Sequence, residues 1–179
     1  MVQWEFIEEM LKGYGFPPKF IQMIMACLTT KFSVKVNGEG YGYFEGKRGL
    51  RQGLSPLLFV MVIEYLSRIL KRMSQLPDFK YHPMCKEQQL THLTFADDLM
   101  LFCKGNEAVV RRITEALRHF SETTGLKANT DKSSIYIAGV DDELKQKLLD
   151  ITCYSSGTFP MRYLGLTLSP KRWSKMDYH

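Results

Sequence analysis

Ser55-Pro56 opens the segment that most limits what this chain can fold into. A serine hydroxyl at an N-cap accepts from a free amide of the first turn, and a proline at the first helical position forfeits no hydrogen bond. The helix expected over residues 57–73 carries apolar side chains on most of its faces rather than on one stripe. Such a helix belongs in a core and needs other elements laid around it. Its apolar run at residues 57–63 stops at Glu64, far short of the roughly 20 residues that cross a bilayer.

The other elements mix two periods. Trp4, Ile7, Met10 and Leu11 recur at helical spacing over residues 2–12, and Gly13, Gly15, Pro17 and Pro18 end that run. Phe20, Ile21, Ile24, Met25 and Leu28 predict a second helix over 18–28. The period then falls to two at Phe32, Val34 and Val36, and Asn37-Gly38 followed by Tyr41, Tyr43 and Phe44 predicts a β-hairpin. Residues 74–89 are polar and read as a connection. Leu93-Thr94-Phe95 and residues 99–103 are two apolar runs around the turn Ala96-Asp97-Asp98, a second hairpin. Asn106 opens a helix with Val109, Ile113, Ala116, Leu117 and Phe120 on one face, ending near Gly125. A strand is expected at Ile135, Tyr136 and Ile137, a short helix over 141–151 and a strand over 163–168. Hairpins without regular βαβ units point to an α+β fold with an antiparallel sheet.

The chain has 179 residues, which suits one domain. At 45% hydrophobic and 24% charged residues it can form a core, so disorder and coiled coil are poor readings. Its 24 Lys and Arg against 19 Asp and Glu leave +5, which permits a polyanionic partner without requiring one. The four cysteines include no C-x-x-C pair, so a disulfide framework or zinc ribbon is disfavoured. His82, Cys85, His92 and Cys103 match no usual zinc spacing. The opening residues carry Glu5, Glu8 and Glu9 where a signal peptide would be basic and then apolar.

Chemistry concentrates at Asp97-Asp98. A bare pair of acids says little, and Asp141-Asp142 serves as a control, since it stands where a helix begins and acids cap amides there. No helix begins at Asp97, and the apolar flanks predict acids gathered at one end of a buried hairpin. Clustered carboxylates repel unless a cation sits among them. Magnesium held by carboxylates and substrate phosphates is the economical cation, and two such ions about 4 Å apart support nucleotidyl transfer. A turn of two solvated acids is the plain alternative.

Four blocks follow one another along the chain. They are Gly49-Leu50-Arg51-Gln52-Gly53-Leu54-Ser55-Pro56, Phe95-Ala96-Asp97-Asp98, Gly125-Leu126-Lys127-Ala128-Asn129 with Lys132-Ser133, and Arg162-Tyr163-Leu164-Gly165 with Leu168-Ser169-Pro170. In that order and approximate spacing the chain resembles the reverse transcriptase domain of LINE-type (non-LTR) retrotransposons, plant-like ones above all. The resemblance implies an RNA-directed DNA polymerase with a palm-like antiparallel sheet packed on helices. One partial domain over 1–179 is expected, with finger and palm elements in 1–45 and palm blocks in 46–179, the first catalytic strand and the thumb missing. It makes Asp97 the direct metal ligand, Asp98 its support and Lys132 the general acid for the leaving pyrophosphate. Arg51, Gln52 and Gly53 would meet the incoming nucleotide and template, and Tyr163, Leu164 and Gly165 would seat the primer end. The implied cofactor is magnesium, with manganese as substitute; the implied partners are an RNA template, a DNA primer and deoxynucleotides, acting in the nucleus. Read without the resemblance, Lys132 is a solvated turn lysine and Tyr163 a core residue.

Two departures from the family pattern shape the expectation. A further aspartate-bearing strand belongs just before the segment that resembles Val2-Gln3-Trp4-Glu5-Phe6, and the chain begins too late to hold it. Gly53 also runs straight into Leu54, where the family usually has two more residues. The isolated chain is therefore expected to be inactive and to need a missing polypeptide segment or a second chain. A competing reading is a non-catalytic nucleic-acid-binding module using Arg111, Arg112, Arg118, Lys127 and Lys132, and a third is a retrotransposon relic without function.

Overall fold

In the computed structural model, which describes residues 2–29, 31–45 and 55–169, the elements follow the punctuation of the sequence. α1 (Trp4–Gly13) and α2 (Pro18–Leu28) fall where helical spacing places them. β1 (Lys31–Val36) pairs antiparallel with β2 (Glu39–Glu45) across Asn37 and Gly38. Both turn residues take positive φ, +51° and +88°, the pattern of a type I′ hairpin that Asn-Gly adopts most readily.

α3 (Ser55–Ser74) corrects one expectation. Leu58, Val62, Leu66, Leu70 and Met73 are buried, whereas Leu57 and Val60 are 60% and 63% exposed. The helix therefore buries one stripe, since only that side finds apolar partners among the described residues.

The chain divides into two compact units, residues 1–69 with 117–127 and residues 70–116 with 128–179. The core of the first gathers Phe6, Ile7, Met10, Leu11, Ile21, Ile24, Leu28, Leu58, Val62, Leu66 and Phe120, each worth about 1.5–3 kcal/mol of burial for a large apolar side chain. The Tyr65 ring lies 5.2 Å from that of Phe6 and 6.3 Å from that of Phe120. The Gln3 amide donates to the Thr124 carbonyl at 2.9 Å, tying the start of the chain to residues 117–127. Tyr14 donates to the Met61 carbonyl at 3.3 Å, and the Arg68 guanidinium covers its ring at 4.8 Å.

The second unit buries Leu70, Met73, Phe79, Val109, Val110, Ile113, Ala116 and Leu148. α4 (Glu107–Thr124) starts at Asn106, whose side-chain oxygen accepts from the amides of Ala108 and Val109 at 2.9 and 3.4 Å. α5 (Asp142–Thr152) is capped by Asp141, which accepts from the Leu144 amide at 2.8 Å. The Asp141-Asp142 pair is thus a helix cap, as its position implied.

Six short strands complete this unit: β3 (His92–Phe95), β4 (Asp98–Leu101), β5 (Ser134–Ile135), β6 (Ser155–Ser156), β7 (Met161–Tyr163) and β8 (Leu166–Leu168). β3 with β4 and β7 with β8 are antiparallel hairpins, while β5 and β6 form a parallel pair. The single strand expected over 163–168 is instead the turn and second arm of a hairpin, because Leu164 and Gly165 at φ +50° and +81° reverse the chain. The fold is α+β, with sheets of two strands each among the described residues. None of its described helices is long and apolar enough to cross a membrane.

Candidate functional site

The β3–β4 hairpin carries the adjacent carboxylates. Its pairs are His92 with Leu101, Leu93 with Met100, Thr94 with Leu99 and Phe95 with Asp98, and the Phe102 amide adds one more bond to the Thr91 carbonyl at 2.8 Å. The loop is therefore Ala96 and Asp97 alone, and Asp98 is the first residue of β4. Ala96 stands at φ +50° and Asp97 does not take a positive φ. Positive φ at a hairpin loop position is a conformation that glycine usually fills. An alanine held there costs about 1–2 kcal/mol in contact between Cβ and the following carbonyl.

Opposed residues of an antiparallel pair share a face. Leu93, Phe95, Met100 and Asp98 lie on one side, His92, Thr94, Leu99 and Leu101 on the other. The base of the hairpin is half-buried, but Phe95 is 58% exposed, and Leu93 and Leu99 are exposed as well. The expectation of a buried hairpin is corrected: its tip projects into solvent. The physical reason is that neither edge of the ribbon is paired among the described residues. Asp97 and Asp98 are exposed and make no hydrogen bond or ion pair among the described residues. Among those residues no group of three His, Cys, Asp or Glu is placed to hold a metal ion.

Lys132 closes the 3-10 turn Thr130–Lys132, which Asn129 fixes by accepting from the Asp131 amide at 3.0 Å. Its side chain is exposed and forms no ion pair among the described residues. Tyr163 ends β7, half-buried, with a hydroxyl that is buried and has no hydrogen-bond partner among the described residues. The structure brings Asp97 to Asp98 in one hairpin and Tyr163, Leu164 and Gly165 to another. Among the described residues no hydrogen bond or ion pair joins Lys132, Tyr163 and the aspartates. Arg51, Gln52 and Gly53, the shortened loop and the hydroxyl of Ser55 lie outside what the structure describes.

The remaining candidates sort by their partners. His82 accepts from the Met84 amide at 3.3 Å, with the Cys85 sulfur 4.0 Å from the same nitrogen. Burial pushes the Cys103 thiol up to about 11 and that of Cys85 upward too, which keeps both protonated and opposes metal ligation. On α4, Arg111 pairs with Glu107 at 2.8 Å, Arg118 with Glu122 at 3.0 Å, and Arg112 with Asp78 at 3.2 Å and Glu115 at 3.7 Å. The three arginines of the helix are matched by Glu107, Glu115 and Glu122, so α4 presents a balanced surface.

One pair of cations escaped sequence reasoning. The Lys104 amide donates to the Lys80 carbonyl at 3.0 Å, which sets two exposed lysines on neighbouring backbone. They are far apart in sequence and belong to no motif, so no local signal links them. Residues 1–168 match the family model described as reverse transcriptase (RNA-dependent DNA polymerase).

Proposed function

We propose, from the premise that the chain belongs to the reverse transcriptase (RNA-dependent DNA polymerase) family, that it is a partial polymerase domain of LINE type, plant-like, with Asp97 and Asp98 as its metal-binding carboxylates. The observation that carries this reading is the β3–β4 hairpin, which holds two uncommitted carboxylates side by side at an exposed tip. The reaction is attack of a primer 3′-hydroxyl on the α-phosphate of a deoxynucleotide, copying an RNA template and releasing pyrophosphate.

The donor set fits magnesium in kind, since both aspartates offer hard oxygens that no cation or amide among the described residues occupies. Bound magnesium supplies Lewis-acid stabilisation of the attacking and leaving oxygens. Asp97, in the loop, is the direct ligand, and Asp98, anchored in the ladder opposite Phe95, keeps the loop from drifting. Lys132 holds a proton for the departing pyrophosphate. Tyr163, Leu164 and Gly165 seat the primer end, and Arg51, Gln52 and Gly53 contact nucleotide and template. Two neighbouring acids do not enclose a metal pair, so a further carboxylate from outside the described residues completes the site, and the isolated chain is inactive.

Manganese binding followed by electron paramagnetic resonance tests the site apart from turnover. Weak binding is expected for the wild type and for Asp141→Ala, with loss in Asp97→Ala. Equal binding by wild type and Asp97→Ala would remove the metal assignment. Primer extension on an RNA template is run beside it, with circular dichroism to establish folding. Extension by the isolated chain that Asp97→Ala abolishes would keep the polymerase and overturn its inactivity.

A further inference from the structure

Beyond the hairpin tip, the second unit carries a charge arrangement that the proposed chemistry does not use. We infer that Lys80 and Lys104 form a phosphate-backbone contact site that grips the nucleic-acid duplex behind the catalytic tip. The inference rests on the polymerase reading for the identity of the duplex, and on the charges alone for the site.

The hydrogen bond from the Lys104 amide to the Lys80 carbonyl, 3.0 Å, joins the backbone of these two residues across a long loop. No ladder runs between them, and this single backbone bond alone holds the two residues as neighbours, with Cα atoms roughly 5–6 Å apart. Both side chains are exposed, and neither forms an ion pair among the described residues. The acids near them in sequence are committed or distant in role. Asp78 takes Arg112, Glu107 takes Arg111, and Asp97 and Asp98 stand at the tip. Glu87, the other acid between Lys80 and Lys104, pairs with neither. Two like charges rooted this closely repel each other, and an anion placed between them reverses the sign. A polymer of phosphates offers that anion repeatedly.

The position relative to the tip fits a single partner. Lys104 follows Asp98 by six residues on the same strand and its extension, so the two lie no more than about 20 Å apart. A nucleic-acid strand advances about 3.4 Å per nucleotide. A duplex that has its primer end at Asp97 and runs along the hairpin reaches Lys80 and Lys104 within about six base steps. Such contacts read backbone charge and not base identity.

The test is fluorescence anisotropy with a labelled RNA–DNA primer–template, full chain, over a salt series. The double variant Lys80→Gln/Lys104→Gln should show a plot of log affinity against log salt shallower by about two contacts' worth. Its deficit against wild type should shrink about tenfold between 50 and 200 mM salt, equally for different sequences. Asp97→Ala should keep the wild-type slope. Wild-type slope and affinity in the double variant would overturn the inference, as would a loss confined to a poly-glutamate probe, which would make the partner an acidic polypeptide. Manganese binding on the same samples separates the two readings. Metal binding lost with an altered slope retained sinks the polymerase site and keeps the lysine pair; the reverse sinks the pair alone.

Discussion

Ala96 sits one residue before the proposed metal ligand in a backbone conformation that L-residues avoid. Three tight hairpins of this chain can be compared at that level. Asn37-Gly38 meets its turn without strain, Leu164-Gly165 strains its leucine, and Ala96-Asp97 places alanine where glycine is normal. Replacing Ala96 by glycine removes about 1–2 kcal/mol of positive-φ cost and adds about 0.5–1 kcal/mol of backbone entropy. Ala96→Gly is thus expected to add up to about 1.5 kcal/mol of stability, read as a higher urea midpoint; a lower midpoint would mean the positive φ is not held. The adjacent carboxylates were readable in the sequence because their flanks were apolar and no helix began there. The strain was not, since Ala-Asp is no turn dipeptide and its conformation is imposed by the pairing of Phe95 with Asp98.

Two acidic pairs in one chain separate a helix cap from an exposed hairpin tip among the elements. Asp141→Ala should cost about 1 kcal/mol, because it frees the Leu144 amide at the start of α5. Asp97→Ala should leave thermal stability within about 0.5 kcal/mol, because none of the described residues bonds to it. Melting curves of the two variants check this, and a destabilised Asp97→Ala would assign that residue a structural role. The α-helices were legible from periodicity to within two residues, α2 at both ends. β5 was expected one residue late and one too long, at Ile135, Tyr136 and Ile137 rather than Ser134–Ile135, and β6 was not expected at all, since strands of two residues have no period to read. The exposed face of α3 was equally hidden: hydrophobicity states what can be buried, not what is present to bury it.

At the scale of the molecule, neither unit is a continuous stretch of chain. Residues 117–127 return to the first unit, where Phe120 meets Tyr65 and Thr124 accepts from Gln3. A chain cut after Ala116 is expected to lose cooperative melting and the near-ultraviolet circular dichroism of the ring cluster. Retention of both would show that residues 1–69 hold together unaided. The family itself was visible at this scale because ordered blocks spread along the chain do not need a structure to be compared. The interleaving was not, since it depends on which distant segments bury each other's apolar faces.

That interleaving also sets a timetable. A ribosome adds about 5–20 residues per second, so the stretch from Leu70 to Lys127 takes roughly 3 to 12 s to make. For those seconds Phe6, Tyr65 and Leu66 have emerged while Phe120 has not. The nascent protein must wait, half closed, for its own later residues, and a pause inside that window would hand its unfinished side to whatever chaperone stands at the exit.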